Sequence, residues 1–125
     1  MDINFKSQLE QTGVDVTTAV KRFMGNEALY TKFLLKFQQD ESFSKIEQFV
    51  KEKNAEETFK AAHTLKGVAA NLGLDRITKD ASDIVEMFRG KSEFSDADPD
   101  LLAATMEHLR TTYDALMKIL AENQQ

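Results

Sequence analysis

Apolar residues recur at helical spacing along most of the chain, and polar or glycine positions between them mark where helices begin and end. Asp15 is the predicted cap of a short helix from Val16 to about Met24, which Gly25 ends. Asn26 then opens a long helix to about Lys53, with a polar stretch at residues 38–42 that favours a bend. We find no alternating strand pattern and no internal repeat.

Two further helices follow in the middle of the chain. Asn54 together with Glu57 resembles a capping box and predicts the start of a helix. That helix ends at Gly73, where a residue in the left-handed conformation is expected. Asp75 is the predicted cap of the next helix, which Gly90 ends. These two helices are therefore joined by a short turn.

The last helix follows the longest predicted loop, residues 91–98. Asp98-Pro99 indicates an N-cap followed by proline at the first helical position. The apolar side of this helix carries Leu102, Thr105, Leu109, Leu116 and Leu120. Amphipathic helices with short connections predict an all-α fold, an antiparallel up-down four-helix bundle with one or two short N-terminal helices covering one end. We expect one domain over residues 1–125, with the bundle core at about 26–122 and the N-terminal cap at about 1–24.

The helix after Asn54 carries a histidine on the side opposite its apolar stripe. At about 100° per residue, His63 faces away from Thr58, Ala61, Leu65, Val68, Ala69 and Leu72. The residues around His63 are Phe59, Lys60, Lys66, Gly67 and Ala70. The sequence thus predicts an exposed imidazole beside lysines and with little steric cover, which suits the carriage of an anionic group.

Composition narrows the class of function. With 16 basic and 21 acidic residues and a net charge of −5, the chain lacks the basic balance of a nucleic-acid-binding protein. The absence of cysteine excludes disulfides, thiolate metal sites and thiol nucleophiles. No apolar run approaches a membrane span, and the first residues do not resemble a signal peptide. We therefore expect a cytoplasmic protein without nucleic-acid or membrane partners. We also expect a monomer.

His63 has the chemistry needed to accept a phosphoryl group. Histidine is partly a free base at neutral pH, so its imidazole can act as a nucleophile. A phosphoryl group would bring nearly two negative charges to the ring. Lys66, one turn further on, and Lys60, just under one turn back, could each offset that charge.

Access to the imidazole is the second predicted property. Gly67 lies about 40° from His63 around the helix and costs that helix about 1 kcal/mol relative to alanine. This cost has a reason if the active site of another protein must close over His63. Phe59 and Ala70 would then form an apolar rim for docking.

Other interpretations remain open at this point. A solvated surface histidine with no function is the simplest alternative for His63. His108 lies at the edge of the apolar side of its helix beside Leu101 and Ile119, which indicates a structural role. The chain has no HExxH, Walker-type or GxGxxG pattern, and no Glu-x-x-His pair of a di-iron bundle. A metal-dependent enzyme is therefore a distant alternative.

Two segments resemble a known family. Ala62-His63-Thr64-Leu65-Lys66-Gly67 followed by Ala69-Ala70-Asn71-Leu72-Gly73 closely resembles the signature of histidine-containing phosphotransfer (HPt) domains. Val14-Asp15-Val16 and the segment from Gly25 to Tyr30 resemble the N-terminal part of that family. The resemblance covers the chain from about Val14 to Leu120.

The resemblance implies a phosphorelay intermediate of two-component signal transduction, a phosphocarrier and not an enzyme. In this family the histidine takes a phosphoryl group from an aspartyl phosphate of one receiver domain and passes it to the aspartate of another. By that similarity His63 is the phosphoacceptor through Nε2, Lys66 steadies the phosphoryl oxygens, and Gly67 admits the receiver. The implied partners are response-regulator receiver domains, hybrid sensor kinases or both. No cofactor is implied, and a divalent metal is expected only in the receiver.

Two departures from the family pattern concern neighbours of the histidine. Val68 stands where many members have serine or alanine, and the helical projection places it on the core side. Some members also place a polar side chain of the following helix near the imidazole. Ser82 and Glu86 are candidates for that role by position only.

The long second helix carries more apolar surface than one bundle-facing stripe requires. Its apolar residues are Tyr30, Phe33, Leu34, Leu35 and Phe37. Cover by the N-terminal helix is the more economical interpretation, and receiver docking is the alternative that merits a test.

Two rival accounts of the whole chain stay open. One is a helical adaptor that binds receivers without being phosphorylated, although such a protein has no need of His63. The other is an HPt domain cut from a multidomain sensor kinase. The initial methionine and the complete bundle pattern favour a standalone protein.

Overall fold

The computed structural model describes residues 1–124, and the regular structure in that range is helical apart from an isolated bridge between Val14 and Leu74. The helices are α1 (Ile3–Gln11), α2 (Val16–Arg22), α3 (Glu27–Lys36), α4 (Ser42–Lys51), α5 (Ala55–Asn71), α6 (Asp75–Phe88) and α7 (Pro99–Glu122). Short 3-10 turns lie at Phe37–Gln39 and Phe94–Asp96. The predicted all-α fold is confirmed. Residue 125, the last of the predicted domain, lies outside the described residues.

From α4 onward, each helix packs against the next one in the chain. The main contacts join α4 to α5, α5 to α6 and α6 to α7, while α1 lies against α7 and α2 against α3. Their inward side chains form one apolar core, in which Leu65, Ile84, Leu109 and Leu116 are at most 1% exposed. Burial of each such side chain contributes about 1.5–3 kcal/mol. Because α5 has neighbours on two sides, only its outer face is free.

The two short N-terminal helices match the prediction, with one difference in length. Helix α2 begins after Asp15, whose carboxylate accepts a hydrogen bond from the Thr18 N–H at 3.1 Å. It ends at Arg22 and does not extend to Met24, because Met24 and Gly25 both adopt positive φ, 59° and 76°. A left-handed backbone cannot continue an α-helix.

The predicted single helix from Asn26 to Lys53 is wrong, because the chain forms two helices there. Asn26 caps α3 as expected, accepting from the Leu29 N–H at 3.0 Å. The polar stretch then produces a full break, since the Asp40 carboxylate accepts from the Ser42 N–H at 2.8 Å and starts α4 afresh. At the far end, Lys53 takes a positive φ of 55° and separates α4 from α5.

The start of α5 agrees with the prediction in part. The Asn54 side chain accepts from the Glu57 N–H at 3.0 Å, as an N-cap should. The reciprocal half of a capping box is absent in the described residues, because the Asn54 N–H donates to the Phe49 carbonyl at 2.9 Å. One side-chain bond therefore caps this helix.

The turn between α5 and α6 depends on Gly73. Its φ of 73° is the left-handed conformation predicted for the end of α5. A Cβ at this position would lie 2.7 Å from the carbonyl oxygen of Asp15 and 2.9 Å from Cβ of Ala19. The Gly73 carbonyl also accepts from the Asp15 N–H at 2.9 Å. The turn thus brings the start of α2 against the end of α5.

The prediction that Asp75 caps α6 is wrong. Leu74 occupies the N-cap position, without a side-chain capping bond, and Asp75 is the first residue of the helix. Leu74 is 2% exposed and bridges to Val14, so tertiary packing fixes the residue at which the helix begins. The Asp75 carboxylate still lies at the positive end of the helix dipole.

The predicted start of α7 is confirmed. The Asp98 carboxylate accepts from the N–H groups of Asp100 and Leu101 at 3.0 and 3.2 Å, and Pro99 is the first helical residue. Across residues 1–124, no helix combines the length and the apolar character that crossing a membrane requires.

Candidate functional site

Helix α5 presents His63 on its outer face. The buried residues of this helix are Ala55, Thr58, Ala61, Ala62, Leu65 and Ala69, and they hold α5 in the core. His63 is exposed, as the helical projection predicts, and Val68 is half-buried against the core. The burial pattern therefore fixes the side of the molecule on which the imidazole lies.

One aromatic side chain borders the imidazole. The ring centroids of Phe59 and His63 lie 6.1 Å apart with an interplanar angle of 42°. Phe59 precedes His63 by one turn and is half-buried, so it forms a wall of the site and leaves the imidazole uncovered. Phe59 thus lies where the predicted apolar rim requires it.

Gly67 leaves space on the other side of the ring. It is exposed, and a Cβ built on it would meet no atom within 4 Å outside its own helical surroundings. The packing of this chain therefore does not require glycine at this position. Glycine at this position destabilises the helix by about 1 kcal/mol relative to alanine, and no packing contact within the described residues offsets that loss.

The two lysines predicted to face the phosphoryl group differ in their partners. Lys60 Nζ lies 3.2 Å from a carboxylate oxygen of Glu56 and 3.6 Å from one of Glu57. The hydrogen bond and the charge of Glu56 raise the pKa of Lys60 above its ordinary value. Lys66 is half-buried, and within residues 1–124 no carboxylate lies within 4 Å of its ammonium group. Of the two lysines, Lys66 is thus the one whose charge is not engaged in an ion pair.

Glu86 of α6 and Arg89, which follows the last residue of that helix, form a pair that the sequence analysis missed. The Arg89 guanidinium donates to the Glu86 carboxylate in three contacts of 3.0–3.2 Å. The same guanidinium lies 5.6 Å from the centroid of the Phe59 ring. The Arg89 hydrogen bonds lower the pKa of Glu86, and the charges of Arg89 and Lys66 act in the same direction. The Glu86-x-x-Arg89 spacing was the available sequence signal.

The predicted polar partner of the imidazole is not observed in the part of the chain that the structure describes. No side chain there hydrogen-bonds to His63, and the Glu86 carboxylate is turned to Arg89. Ser82 is half-buried on α6 and makes no side-chain hydrogen bond to the imidazole either. The ring is therefore positioned by its helix and by Phe59.

A second tertiary contact reaches the outer face of α5 from the N-terminal helices. The guanidinium of Arg22, in α2, donates to the carbonyl oxygen of Ala70. Ala70 is half-buried and lies two turns beyond His63. No local pattern signals this contact, because the two residues are 48 positions apart in the chain.

The broad apolar face of α3 is only partly covered. Phe23, at the end of α2, packs its ring against Tyr30 and Phe33, both at centroid distances of 5.6 Å. Tyr30 is fully buried, whereas Phe33 remains 42% exposed. Phe33 borders a groove of about 370 Å³ between α3 and α5, whose other lining residues are Lys36, Phe37, Gln39, Asp40, Val68, Asn71 and Leu72. Cover by the N-terminal helices is therefore incomplete.

The second histidine has a buried partner. Nδ1 of His108, in α7, lies 2.5 Å from Oδ2 of Asp80, in α6, and the Asp80 side chain is 8% exposed. This contact supports the structural role predicted for His108. Within residues 1–124, no three His, Asp or Glu side chains are grouped closely enough to hold a metal ion.

Comparison with known proteins identifies one family. The model described as Hpt domain matches residues 33–118, while no curated protein and no solved structure matches the chain. Hpt domains are phosphocarrier modules that carry out histidine phosphotransfer in two-component signalling, and they interact with response-regulator receiver domains. Because the match spans well over half of the sequence and includes the His63 helix, the chain belongs to the Hpt domain family.

Proposed function

We propose that His63 is the phosphoacceptor of a phosphorelay intermediate. The observation that carries this proposal is the exposed imidazole on the outer face of α5, with Gly67 open beside it and Lys66 free of close carboxylates. The imidazole takes the phosphoryl group from an aspartyl phosphate of one receiver domain. It then gives that group to the aspartate of a second receiver.

The proposed transfer is a displacement at phosphorus. The lone pair of His63 Nε2 forms the new N–P bond while the P–O bond to the receiver aspartate breaks, and that carboxylate leaves with the bonding electrons. The second transfer is the same step in reverse, with another aspartate as nucleophile. Lys66 offsets the incoming negative charge, and the receiver contributes most of the transition-state stabilisation.

The proposed docking surface surrounds His63 on α5. Phe59 and Ala70 supply apolar contacts at either end, and Gly67 lets the receiver approach the imidazole. Lys60 borders this surface, although its two glutamate partners limit what it can contribute to the phosphoryl group. A receiver seated here covers the whole outer face of the helix.

We extend the docking surface to Phe33, because its ring remains exposed at a groove that adjoins α5. Phe33→Gln should weaken receiver affinity several-fold, measured by titration calorimetry. Urea unfolding of the same variant should show little change, since a 42% exposed ring contributes little to the core. Unchanged affinity would remove Phe33 from the surface.

For the architecture, we propose one domain whose core, at about 26–122, is an antiparallel up-down four-helix bundle, with α3 and α4 together as its first arm, and in which α1 and α2 cover one end. The sequential packing of α4 on α5, α5 on α6 and α6 on α7 supports this arrangement. The continuous apolar core supports a single domain.

The test of the function is transfer of label from a phosphorylated receiver. The chain should gain label that is lost in acid and stable in alkali, as a phosphorus–nitrogen bond requires. His63→Gln should gain none. Receiver binding without label on the unaltered chain would instead indicate an adaptor, and label that persists in His63→Gln would place the acceptor elsewhere.

A further inference from the structure

Two of the cations around His63, Lys60 and Arg89, are paired with acidic side chains. Two glutamates hold Lys60 on the N-terminal side, at 3.2 and 3.6 Å. On the α6 side, Glu86 holds Arg89 through three hydrogen bonds. Lys66, one turn beyond His63, has no carboxylate within 4 Å among the described residues. A site that only had to attract a phosphoryl group would gain nothing from these glutamates.

Arg89 is close enough to influence the imidazole. Its guanidinium lies 5.6 Å from the Phe59 ring, and that ring lies 6.1 Å from the imidazole, so the guanidinium and imidazole cannot be more than about 12 Å apart. That is near the distance over which salt screens exposed charges. Without its partner, Arg89 would therefore add a second positive charge that a dianionic phosphoryl group could sense.

We propose that the Glu86–Arg89 pair tunes how firmly His63 holds its phosphoryl group. Glu86 neutralises Arg89 and keeps the guanidinium on the Phe59 ring, while Lys66 makes no ion pair within 4 Å among the described residues. The phosphohistidine is then stable enough to form and weak enough to be passed on. This inference rests on the proposed function, and it makes Glu86 and Arg89 positioning residues that touch neither the imidazole nor the phosphoryl group.

The charge change in each variant predicts whether the phosphorylated form of His63 is favoured or disfavoured. Glu86→Gln frees the charge of Arg89 and should favour the phosphorylated form. Arg89→Gln leaves the carboxylate unmatched and should disfavour it. The double variant restores neutrality and should lie close to the unaltered chain. At up to about 12 Å through a screened surface, each single change corresponds to about a two- to fourfold shift.

The experiment uses a small donor, phosphoramidate, so that receiver docking does not enter. Nε2 of His63 attacks phosphorus, the N–P bond of the donor breaks, and ammonia leaves. With ammonium in excess, the same equilibrium can be reached from the free protein with phosphoramidate or from the phosphorylated protein. ³¹P NMR then gives the ratio of phosphohistidine to phosphoramidate. NMR of the imidazole assigns the signal to His63. Asp114→Asn is the matched control, because Asp114 is also paired with an arginine but lies on α7.

The expected ratio rises about two- to fourfold in Glu86→Gln, falls by a similar factor in Arg89→Gln, and both shifts shrink in 0.5 M salt. Single variants that match Asp114→Asn, or that move the ratio in the same direction, would overturn the inference and leave the proposed function intact. Failure of the unaltered chain to form phosphohistidine at His63 would contradict the proposed function and the inference with it.

Discussion

His108 and Asp80 connect α7 to α6 through a 2.5 Å contact between Nδ1 and Oδ2. The carboxylate is almost fully buried, whereas the imidazole is 59% exposed. A buried carboxylate that loses its partner keeps the full cost of desolvation, about 1–3 kcal/mol or more. The exposed histidine thus offsets the cost of burying the Asp80 carboxylate at this helix interface.

His108→Ala should therefore lower the free energy of unfolding by about 1–3 kcal/mol, measured by urea denaturation. Asp80→Asn combined with His108→Ala should recover part of that loss, because the neutral amide is cheaper to bury. Transfer of phosphoryl label to His63 should persist in both proteins. Equal stability of His108→Ala and the unaltered chain would show that the His108–Asp80 contact does not contribute to the stability of the fold.

Two glycines should respond to alanine in opposite ways. Gly67→Ala meets no atom within 4 Å and should stabilise the fold by up to about 1 kcal/mol. Gly73→Ala combines a left-handed backbone with a 2.7 Å clash against the Asp15 carbonyl, and should destabilise it by about 2 kcal/mol or more. Thermal unfolding of the two variants measures both changes.

The functional effect of Gly67→Ala should depend on the size of the donor. Transfer from a receiver should slow, because the added methyl group occupies the space through which the partner approaches. Phosphorylation by phosphoramidate should be unchanged, since a small molecule needs no such space. Equal receiver kinetics for Gly67→Ala and the unaltered chain would remove the access role of this glycine.

The two lysines beside His63 should also be separable. Lys66→Gln should slow transfer from a receiver by about tenfold, because this ammonium group lies one turn from His63 and has no carboxylate within 4 Å among the described residues. Lys60→Gln should have a smaller effect, since Glu56 and Glu57 already engage Lys60. Single-turnover kinetics with one receiver compare the pair. A larger loss in Lys60→Gln would reverse their proposed roles.

Tyr30 should contribute to the rigidity of the end of α5. Its hydroxyl group donates to the Leu72 carbonyl at 2.8 Å in the buried region between α3 and the α5–α6 turn, and burial raises the pKa of Tyr30. Tyr30→Phe leaves that carbonyl without this donor and should cost about 1 kcal/mol, with the ring packing retained. Unfolding experiments at neutral pH test this value, and an unchanged midpoint would argue that another donor replaces the hydroxyl group.

Local signals predicted the fold well where a single residue decides the backbone. Gly73, Asn54 and the Asp98-Pro99 pair act within one turn of themselves, and their predicted positions agree with the structure. Asp75 failed as a cap because packing of the residue before it decides where α6 begins. The break before α4 was visible as a polar stretch. The complete interruption of the helix depends on one hydrogen bond, in which the Asp40 carboxylate accepts from the Ser42 N–H.

The candidate site also combines a feature that local sequence predicts with contacts that depend on tertiary packing. The orientation of His63 follows from helical periodicity within α5, so the sequence was sufficient to predict it. The contact of Arg89 with Phe59 depends on the rotation of α6 relative to α5, and the contact of Arg22 with Ala70 depends on where α2 docks. Neither relation is encoded in a local spacing, which is why the charged surroundings of the imidazole emerged only from the structure.

The most direct test of the account compares the two histidines as acceptors. Equal amounts of His63→Gln and His108→Gln are mixed with the same phosphorylated receiver, and acid-labile label on each chain is followed over time. We predict label on His108→Gln near the level of the unaltered chain and none on His63→Gln, with both proteins folded by circular dichroism. Label on a folded His63→Gln protein, or its loss from a folded His108→Gln protein, would contradict the claim that His63 carries the phosphoryl group.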